Sequence, residues 1–154
     1  MPGLTNISRP KLWVDAFDRD GSNELNIGWY SVRTPYKTQY SLSARPGYLR
    51  IYGSFINLTE VASPAVYLRK QTDFNATWST SLEYYPSTQD VGEAGTVLWL
   101  TEDYNQAIGV RRCDNDPANR CIVTRTNTGP NLTFTVSYRF RSIFLCLASP
   151  SAEH

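Results

Sequence analysis

Apolar and polar side chains alternate along most of this chain of 154 residues, in short stretches bounded by Gly, Pro, Asn, Asp or Ser. In the clearest stretch, 77–84, Trp78, Leu82 and Tyr84 share one face with Thr80, and the polar residues between them share the other. A period of two residues is typical of half-buried antiparallel strands. No useful run of the 3.6-residue helical period occurs, so the pattern predicts an all-β fold of the sandwich or jelly-roll type.

Nine stretches of the chain are predicted to be strands: Trp13–Phe17, Trp29–Val32, Gly47–Gly53, Ala65–Lys70, Thr77–Tyr84, Gly95–Leu100, Gln106–Val110, Ile122–Arg125 and Leu132–Tyr138. The inward positions of these strands define the expected core. The side chains expected to be buried are Leu49, Ile51, Val66, Leu68, Trp78, Leu82, Val97 and Val136.

Six short motifs follow one another within residues 12–110. They are Trp29, Arg33-Thr-Pro35, Tyr40-Ser-Leu42, Arg45-Pro-Gly-Tyr-Leu-Arg50, Arg69-Lys-Gln-Thr72 and Ala94-Gly95. In this order they resemble the concanavalin A-like β-sandwich that follows the catalytic domain in many family 43 glycoside hydrolases, the β-xylosidases and α-arabinofuranosidases. The resemblance implies a concanavalin A-like sandwich from a secreted enzyme of fungal type.

The resemblance also gives the expected domain boundaries: a linker remnant at 1–10, the sandwich at 11–138 and an atypical tail at 139–154. The tail, RFRSIFLCLASPSAEH, abandons the alternation where members of the family continue with at least two more strands. We therefore expect a truncated sandwich whose tail lies outside the paired strands or pairs irregularly. The alternative is a short variant in which 143–147 forms the closing strand.

Function follows from the same resemblance. Family 43 enzymes hydrolyse glycosides with paired carboxylates on a propeller domain, and this chain has neither the length nor the pattern of a propeller. Its own carboxylates are scattered, and the glutamates at positions 60, 83, 93 and 102 lie in or near predicted turns or on an outward face. The chain is thus expected to lack catalytic machinery, to support the propeller and to shape access to plant cell-wall xylan or arabinan. The alternative is an independent carbohydrate-binding module that stacks sugars on exposed aromatic rings.

Candidate sugar-binding residues come from the aromatic and polar side chains. The chain has ten tyrosines and four tryptophans, most of which fit a sandwich core. Tyr85 and Tyr104 lie at strand ends, where exposure is expected. Arg69, Gln71 and Glu83 project outward and could hydrogen-bond to sugar hydroxyls, although a solvated sheet face explains them equally well.

Net charge and hydropathy exclude other partners. The net charge of +1 gives no electrostatic reason to bind nucleic acid or an anionic membrane, and no run of about 18 apolar residues could span one. Residues 1–30 contain no recognisable signal peptide. Glycosylation sequons at Asn6, Asn57, Asn75 and Asn131 nevertheless fit an extracellular protein whose leader lies upstream.

The positions of two cysteines also favour a secreted protein. Cys113 and Cys121 bracket the loop CDNDPANRC, where a disulfide would pin a hairpin and contribute about 2.5 kcal/mol. The alternative is two free thiols in a cytosolic protein, and Cys146 has no evident partner in either case. A transition-metal site is not expected, since His154 is the sole histidine.

One segment could hold a structural calcium ion. Residues 18–23, beginning at Asp18, resemble part of a calcium loop but lack its closing glutamate. A plain turn between the first two strands is the alternative. No other cofactor is expected.

Overall fold

The structure, a computed structural model, describes residues 12–18, 21–73, 75–87, 89, 91–140 and 144–148. These residues contain ten strands and no helix, which confirms the all-β prediction. The strands are β1 (Trp29–Ser31), β2 (Tyr40–Ser41), β3 (Arg50–Ile51), β4 (Tyr67–Arg69), β5 (Thr77–Ser81), β6 (Glu93–Trp99), β7 (Tyr104–Cys113), β8 (Asp116–Thr128), β9 (Leu132–Phe140) and β10 (Phe144–Ala148). No helix in the described ranges has the length and apolarity needed to cross a membrane.

The largest sheet has four strands in the order β6-β7-β8-β9, so that each strand pairs with the next one along the chain. All three pairings are antiparallel, as short turns between consecutive strands require. Two of these turns meet at one end of the sheet, where the Gly129 amide donates to the Asp103 carbonyl at 2.6 Å. Gly129 has φ of +75°, a conformation that glycine adopts without a steric penalty.

Three antiparallel pairs complete the described strands: β1 with β4, β2 with β3, and β5 with β10. In the last pair, Phe144 lies opposite Ser81 and Ala148 opposite Thr77. Of the predicted tail, residues 139 and 140 end β9 beyond a register shift, which agrees with the expected irregular pairing. The expectation is wrong for 144–148, which pairs with β5 in regular register and is close to the alternative closing strand at 143–147. Residues 141–143 and 149–154 of the predicted tail, and the predicted linker at 1–10, lie outside the described residues.

The predicted strand at Trp13–Phe17 is also wrong, because residues 12–18 are extended but unpaired. The Asp15 carboxylate accepts a hydrogen bond from the Phe17 amide at 3.1 Å. Phe17 itself has φ of +54°, which a strand cannot accommodate. A local bond between an Asp side chain and the backbone two residues on competes with strand pairing in this way.

The core of the described residues is small, with apolar burial at Val32, Leu42, Val110, Cys113, Cys121 and Val123. Six of the eight side chains predicted to be buried are only half-buried, and the prediction is wrong for Ile51 and Val136, which are exposed. Ile51 lies in a strand of two residues, and Val136 lies on the last strand of the four-stranded sheet. The alternation predicted for 77–84 is confirmed, since burial alternates residue by residue.

Candidate functional site

Three tryptophans from separate parts of the chain form one cluster, called here the tryptophan cluster (Trp13, Trp29 and Trp78). Trp13 stacks on Trp78 with ring centroids 6.1 Å apart, and Trp29 meets both rings edge-on at 5.7 and 6.0 Å. Trp29 begins β1 and Trp78 lies in β5, whereas Trp13 belongs to the unpaired segment 12–18. Such aromatic contacts add stabilisation beyond the area they bury. The cluster therefore fastens the segment to two strands.

Polar contacts hold the same segment. Asp15 Oδ2 accepts hydrogen bonds from Trp29 Nε1 at 3.0 Å and from Asn26 Nδ2 at 2.8 Å. The Arg69 guanidinium lies 3.7 Å from the centre of a Trp13 ring and donates to the Ile27 carbonyl at 3.2 Å. Residues 12–18 are thus attached through both ring contacts and hydrogen bonds.

Gly28 makes room for this arrangement. It has φ of +102°, and a Cβ atom there would lie 2.7 Å from Arg69 Nη1. Any other residue would have to displace the guanidinium from Trp13 and would also be strained. Gly28 therefore allows Arg69 to reach both Trp13 and the Ile27 carbonyl.

The sequence prediction missed this cluster. It did not link the three tryptophans, because contacts between distant strands cannot be inferred from local alternation. A single tryptophan lies on each of four predicted strands, and the pattern does not distinguish the three that meet from Trp99. The structure also assigns Arg69, predicted to bind sugar, to the Trp13 ring. Gln71 Nε2 donates to the Asp73 carbonyl at 2.5 Å, and sugar binding by Arg69 and Gln71 remains a prediction.

A second group of side chains surrounds Glu83 and Tyr85, just beyond β5. The Arg45 guanidinium bonds to both Glu83 carboxylate oxygens, with Nη2 to Oε1 at 2.9 Å, and lies 3.9 Å above the Tyr48 ring. The Arg120 guanidinium lies 4.6 Å from the Tyr85 ring centre and donates to the Tyr84 carbonyl at 3.1 Å. We call these five residues, Tyr48, Arg45, Glu83, Tyr85 and Arg120, the Tyr85 platform.

Tyr104 lies elsewhere, at the start of β7, with half of its surface exposed. Its hydroxyl would be 3.1 Å from a Cβ atom on Gly129, so it stands over the β8–β9 turn. Of the predicted sugar-binding residues, Glu83 and Tyr85 therefore share one group, while Arg69 and Tyr104 each contact other partners.

An ion pair at the β6–β7 turn connects three loops. Arg33 Nη2 bonds to Glu102 Oε1 at 3.0 Å, and Arg33 Nη1 donates to the Ala62 carbonyl at 2.8 Å. A hydrogen bond from the backbone amide of Glu102 itself holds the pKa of this carboxyl below its ordinary value of 4.5, and Arg33 lowers it further. The side-chain amides of Asn105 and Asn127 donate to the Glu102 carbonyl at 3.0 and 2.7 Å. The motif arginine at position 33 is thus a structural tie between loops.

The predicted disulfide is present. Cys113 ends β7 and bonds to Cys121 in β8, with Cα atoms 5.1 Å apart. Both half-cystines are buried. The bond joins β7 and β8 close to the turn between them, as the sequence prediction proposed. The alternative of two free thiols therefore does not describe this structure.

The remaining predicted sites stay predictions. In the described ranges, no group of three or more His, Cys, Asp and Glu side chains could hold a metal ion, and Asp20, the partner of Asp18 in the calcium-like segment, lies outside those ranges. Three of the sequon asparagines, Asn57, Asn75 and Asn131, are exposed, as a glycosylated asparagine must be. Asn6 lies outside the described residues.

Comparison with known proteins gives two matches. Residues 14–142 match the family described as the β-xylosidase C-terminal concanavalin A-like domain. A curated relative, the non-reducing end α-L-arabinofuranosidase BoGH43B of Bacteroides ovatus, is 29% identical over 162 aligned residues. That alignment includes 90% of this chain but only 30% of the relative. The chain therefore spans less than a third of the length of that enzyme.

Proposed function

Because the chain belongs to the family of β-xylosidase C-terminal concanavalin A-like domains, we propose that it is the accessory, non-catalytic domain of a family 43 glycoside hydrolase. In this proposal, hydrolysis of plant cell-wall xylan or arabinan takes place on a propeller domain, and the sandwich supports that domain and shapes access to its substrate. The enzyme would be extracellular and glycosylated at its sequons. The B. ovatus relative is an arabinofuranosidase, and most of that enzyme lies outside the match. This supports a division between a catalytic part and an accessory part.

The observation that carries the proposal is the attachment of residues 12–18. Trp13 and Asp15 point toward the sandwich and are held there by the tryptophan cluster, Arg69 and Asn26. The alternate side chains, Leu12 and Val14, are 77% and 70% exposed. Residue Ile27, in the loop bonded to Asp15 and Arg69, is 99% exposed.

These three apolar side chains are called here the leading-segment patch (Leu12, Val14 and Ile27). They lie on the described residues that precede β1. A firmly attached segment would hold a preceding domain in one orientation, whereas a flexible linker would not. Exposed apolar side chains on that segment are suited to pack against such a domain.

The carboxylates support a non-catalytic role. Glycoside hydrolysis needs two carboxylates free to flank one glycosidic bond, with one acting as acid and the other as base or nucleophile. In the described ranges, Glu83, Glu93, Glu102 and Asp114 are each ion-paired with a different arginine. A carboxylate whose oxygens are bonded to a guanidinium is not free to flank a glycosidic bond in this way.

The alternative function, an independent carbohydrate-binding module, is favoured by one observation. Tyr85 is 75% exposed beside the polar Arg45–Glu83 pair. An exposed ring next to donors and acceptors can bind sugar whether or not a catalytic domain is attached.

A fusion protein tests the accessory role. The part of the B. ovatus arabinofuranosidase outside the match would be joined to this chain and compared with the same part alone. We expect the fusion to keep arabinofuranosidase activity to a higher temperature, because a docked sandwich stabilises the domain it contacts. Triple substitution of the patch, with Leu12, Val14 and Ile27 all changed to serine, should remove that gain.

Two controls accompany this test. Serine at Tyr36 and Val61, exposed side chains of other loops, removes apolar surface outside the leading segment and should preserve the gain. The 154-residue chain alone should not hydrolyse aryl arabinosides or aryl xylosides. Turnover by the chain alone that one carboxylate substitution abolishes would contradict the proposal, as would a fusion no more stable than the enzyme part alone.

A further inference from the structure

We propose that the Tyr85 platform is a binding subsite for one ring of a neutral oligosaccharide. The platform shares no residue with the leading-segment patch, although the turn that carries Arg45 and Tyr48 contacts the segment 12–18 through a hydrogen bond from the Gly47 amide to the Phe17 carbonyl at 3.2 Å. The expectation that the sugar is a pentose rests on the proposed function, whereas the geometry alone points to a neutral sugar.

The backbone places two chemically different groups side by side. Burial alternates without a break from Thr77 to Ser87, so that Glu83 and Tyr85 both point to the exposed side of an extended segment. Alternate residues of an extended chain are about 7 Å apart and share one face. The Tyr85 ring and the Glu83 carboxylate can therefore contact the same sugar residue.

The Tyr85 ring is held in place on one side and open on the other. The Arg120 guanidinium lies 4.6 Å from its centre and is fixed by its bond to the Tyr84 carbonyl. The side chain nevertheless remains 75% exposed. A ring held in advance loses little conformational entropy on binding, and its open face suits the C–H face of a sugar.

The Arg45–Glu83 pair supplies hydrogen bonds without net charge. A guanidinium has five N–H donors, and Arg45 uses only two of its nitrogens on the Glu83 carboxylate. The Tyr48 ring, 3.9 Å below, fixes the guanidinium, and both members of the pair are partly exposed. A sugar hydroxyl both donates and accepts, so it can bond to the carboxylate and the guanidinium together. Since the charges of the pair cancel, it can bond to a hydroxyl without requiring a charged sugar. The charge that remains in the platform is that of Arg120, whose guanidinium faces the Tyr85 ring.

Other exposed or partly exposed rings are less open or have other partners. Phe134 also lies beside an arginine–glutamate pair, Arg125 with Glu93, but it is only 38% exposed, and two guanidiniums, those of Arg125 and Arg111, lie 4.5 and 5.7 Å from its ring centre. Trp13 is occupied by Arg69 and Trp78. Tyr36 is 81% exposed, with the Lys37 ammonium 5.7 Å from its ring. It therefore provides a control with a similar ring and a nearby cation.

Nuclear magnetic resonance of the whole 15N-labelled chain tests the subsite. Xylotetraose and arabinotetraose would be titrated to high millimolar concentration, because one shallow ring contact gives a dissociation constant on the order of 1 mM. We expect the amide signals of 83–85 and 120 to shift for at least one of the two sugars. Tyr85→Ala should weaken binding at least tenfold, and Glu83→Gln should weaken it severalfold, while Tyr36→Ala should leave it unchanged.

Three outcomes would overturn the proposal: no shifts at 83–85 with either sugar, equal binding by the Tyr85→Ala chain, or tighter binding of an oligogalacturonate than of the neutral sugars. A melting curve for each variant checks that it is folded, and Tyr85 is exposed enough for its removal to be tolerated. The fusion experiment measures heat stability with the platform intact, so the two proposals can fail independently.

Discussion

Alanine at Gly95 should lower the free energy of unfolding by about 3 kcal/mol, although it adds only one methyl group. Gly95 on β6 lies directly opposite Gly109 on β7. A Cβ atom on Gly95 would overlap the Ile108 carbonyl oxygen and the Gly109 Cα atom. Both are backbone atoms of the paired strand, so the overlap can be relieved only by moving the two strands apart and weakening their hydrogen bonds. This contact gives a physical reason for the Ala94-Gly95 motif.

Urea unfolding of three glycine variants measures the effect. Gly109→Ala should cost less than Gly95→Ala, since its Cβ atom would lie 2.9 Å from the Ala94 carbonyl oxygen. Gly53→Ala is the control, because no heavy atom lies within 4 Å of its Cβ position. It should change the unfolding free energy by less than about 0.5 kcal/mol. Equal unfolding midpoints for the Gly95 and Gly53 variants would show that β6 and β7 are not packed as closely as described.

Removal of the disulfide should cost about 2.5 kcal/mol. The bond joins residues separated by eight positions, and in the chain-entropy model a loop of that length restricts the unfolded chain by roughly this amount. The half-cystines are also among the few buried apolar groups of the described residues, so their loss leaves unfilled space in a small core.

The measurement compares two proteins in urea, both of which carry Cys146→Ala so that no third cysteine can exchange with the bond. One keeps Cys113 and Cys121 and serves as the reference, and the other also carries Cys113→Ala and Cys121→Ala. Peptide mass mapping without reductant should show Cys113 linked to Cys121 in the reference protein. If the two proteins have the same urea midpoint, the hairpin holds its shape without the bond, and the expected stabilisation is wrong.

The sequence predicts strands well where burial and alternation coincide. The stretch 77–84 shows the predicted alternation because Trp78 and Leu82 are large and apolar, so pattern and packing agree. β7 and β8 are longer than predicted, since their outer parts contain charged residues such as Arg111, Arg112 and Arg120. Their backbone groups pair with the neighbouring strand, and such pairing leaves no signal in the hydropathy of the side chains. β2 was missed because it has two residues, too few to show a period.

Part of the candidate site was also predictable from the sequence. Tyr85 was expected to be exposed because it lies at a strand end and follows an alternating run, and it is. The partners of these residues were not predictable. Arg45 and Arg120 reach Glu83 and Tyr85 from segments far away in sequence, and such pairings depend on tertiary packing.

The arrangement of the sheets has a consequence for the order of folding. Strands β6 to β9 pair with their neighbours along the chain, so each pairing closes only a short loop. β1 with β4 and β5 with β10 join positions far apart in sequence, and closing such loops costs more entropy and takes longer. We expect the four-stranded sheet to form first and to persist when the rest opens, with amides of 105–127 the slowest to exchange with deuterium. In such a partly open state the disulfide would remain in the folded part, while the tryptophan cluster would come apart.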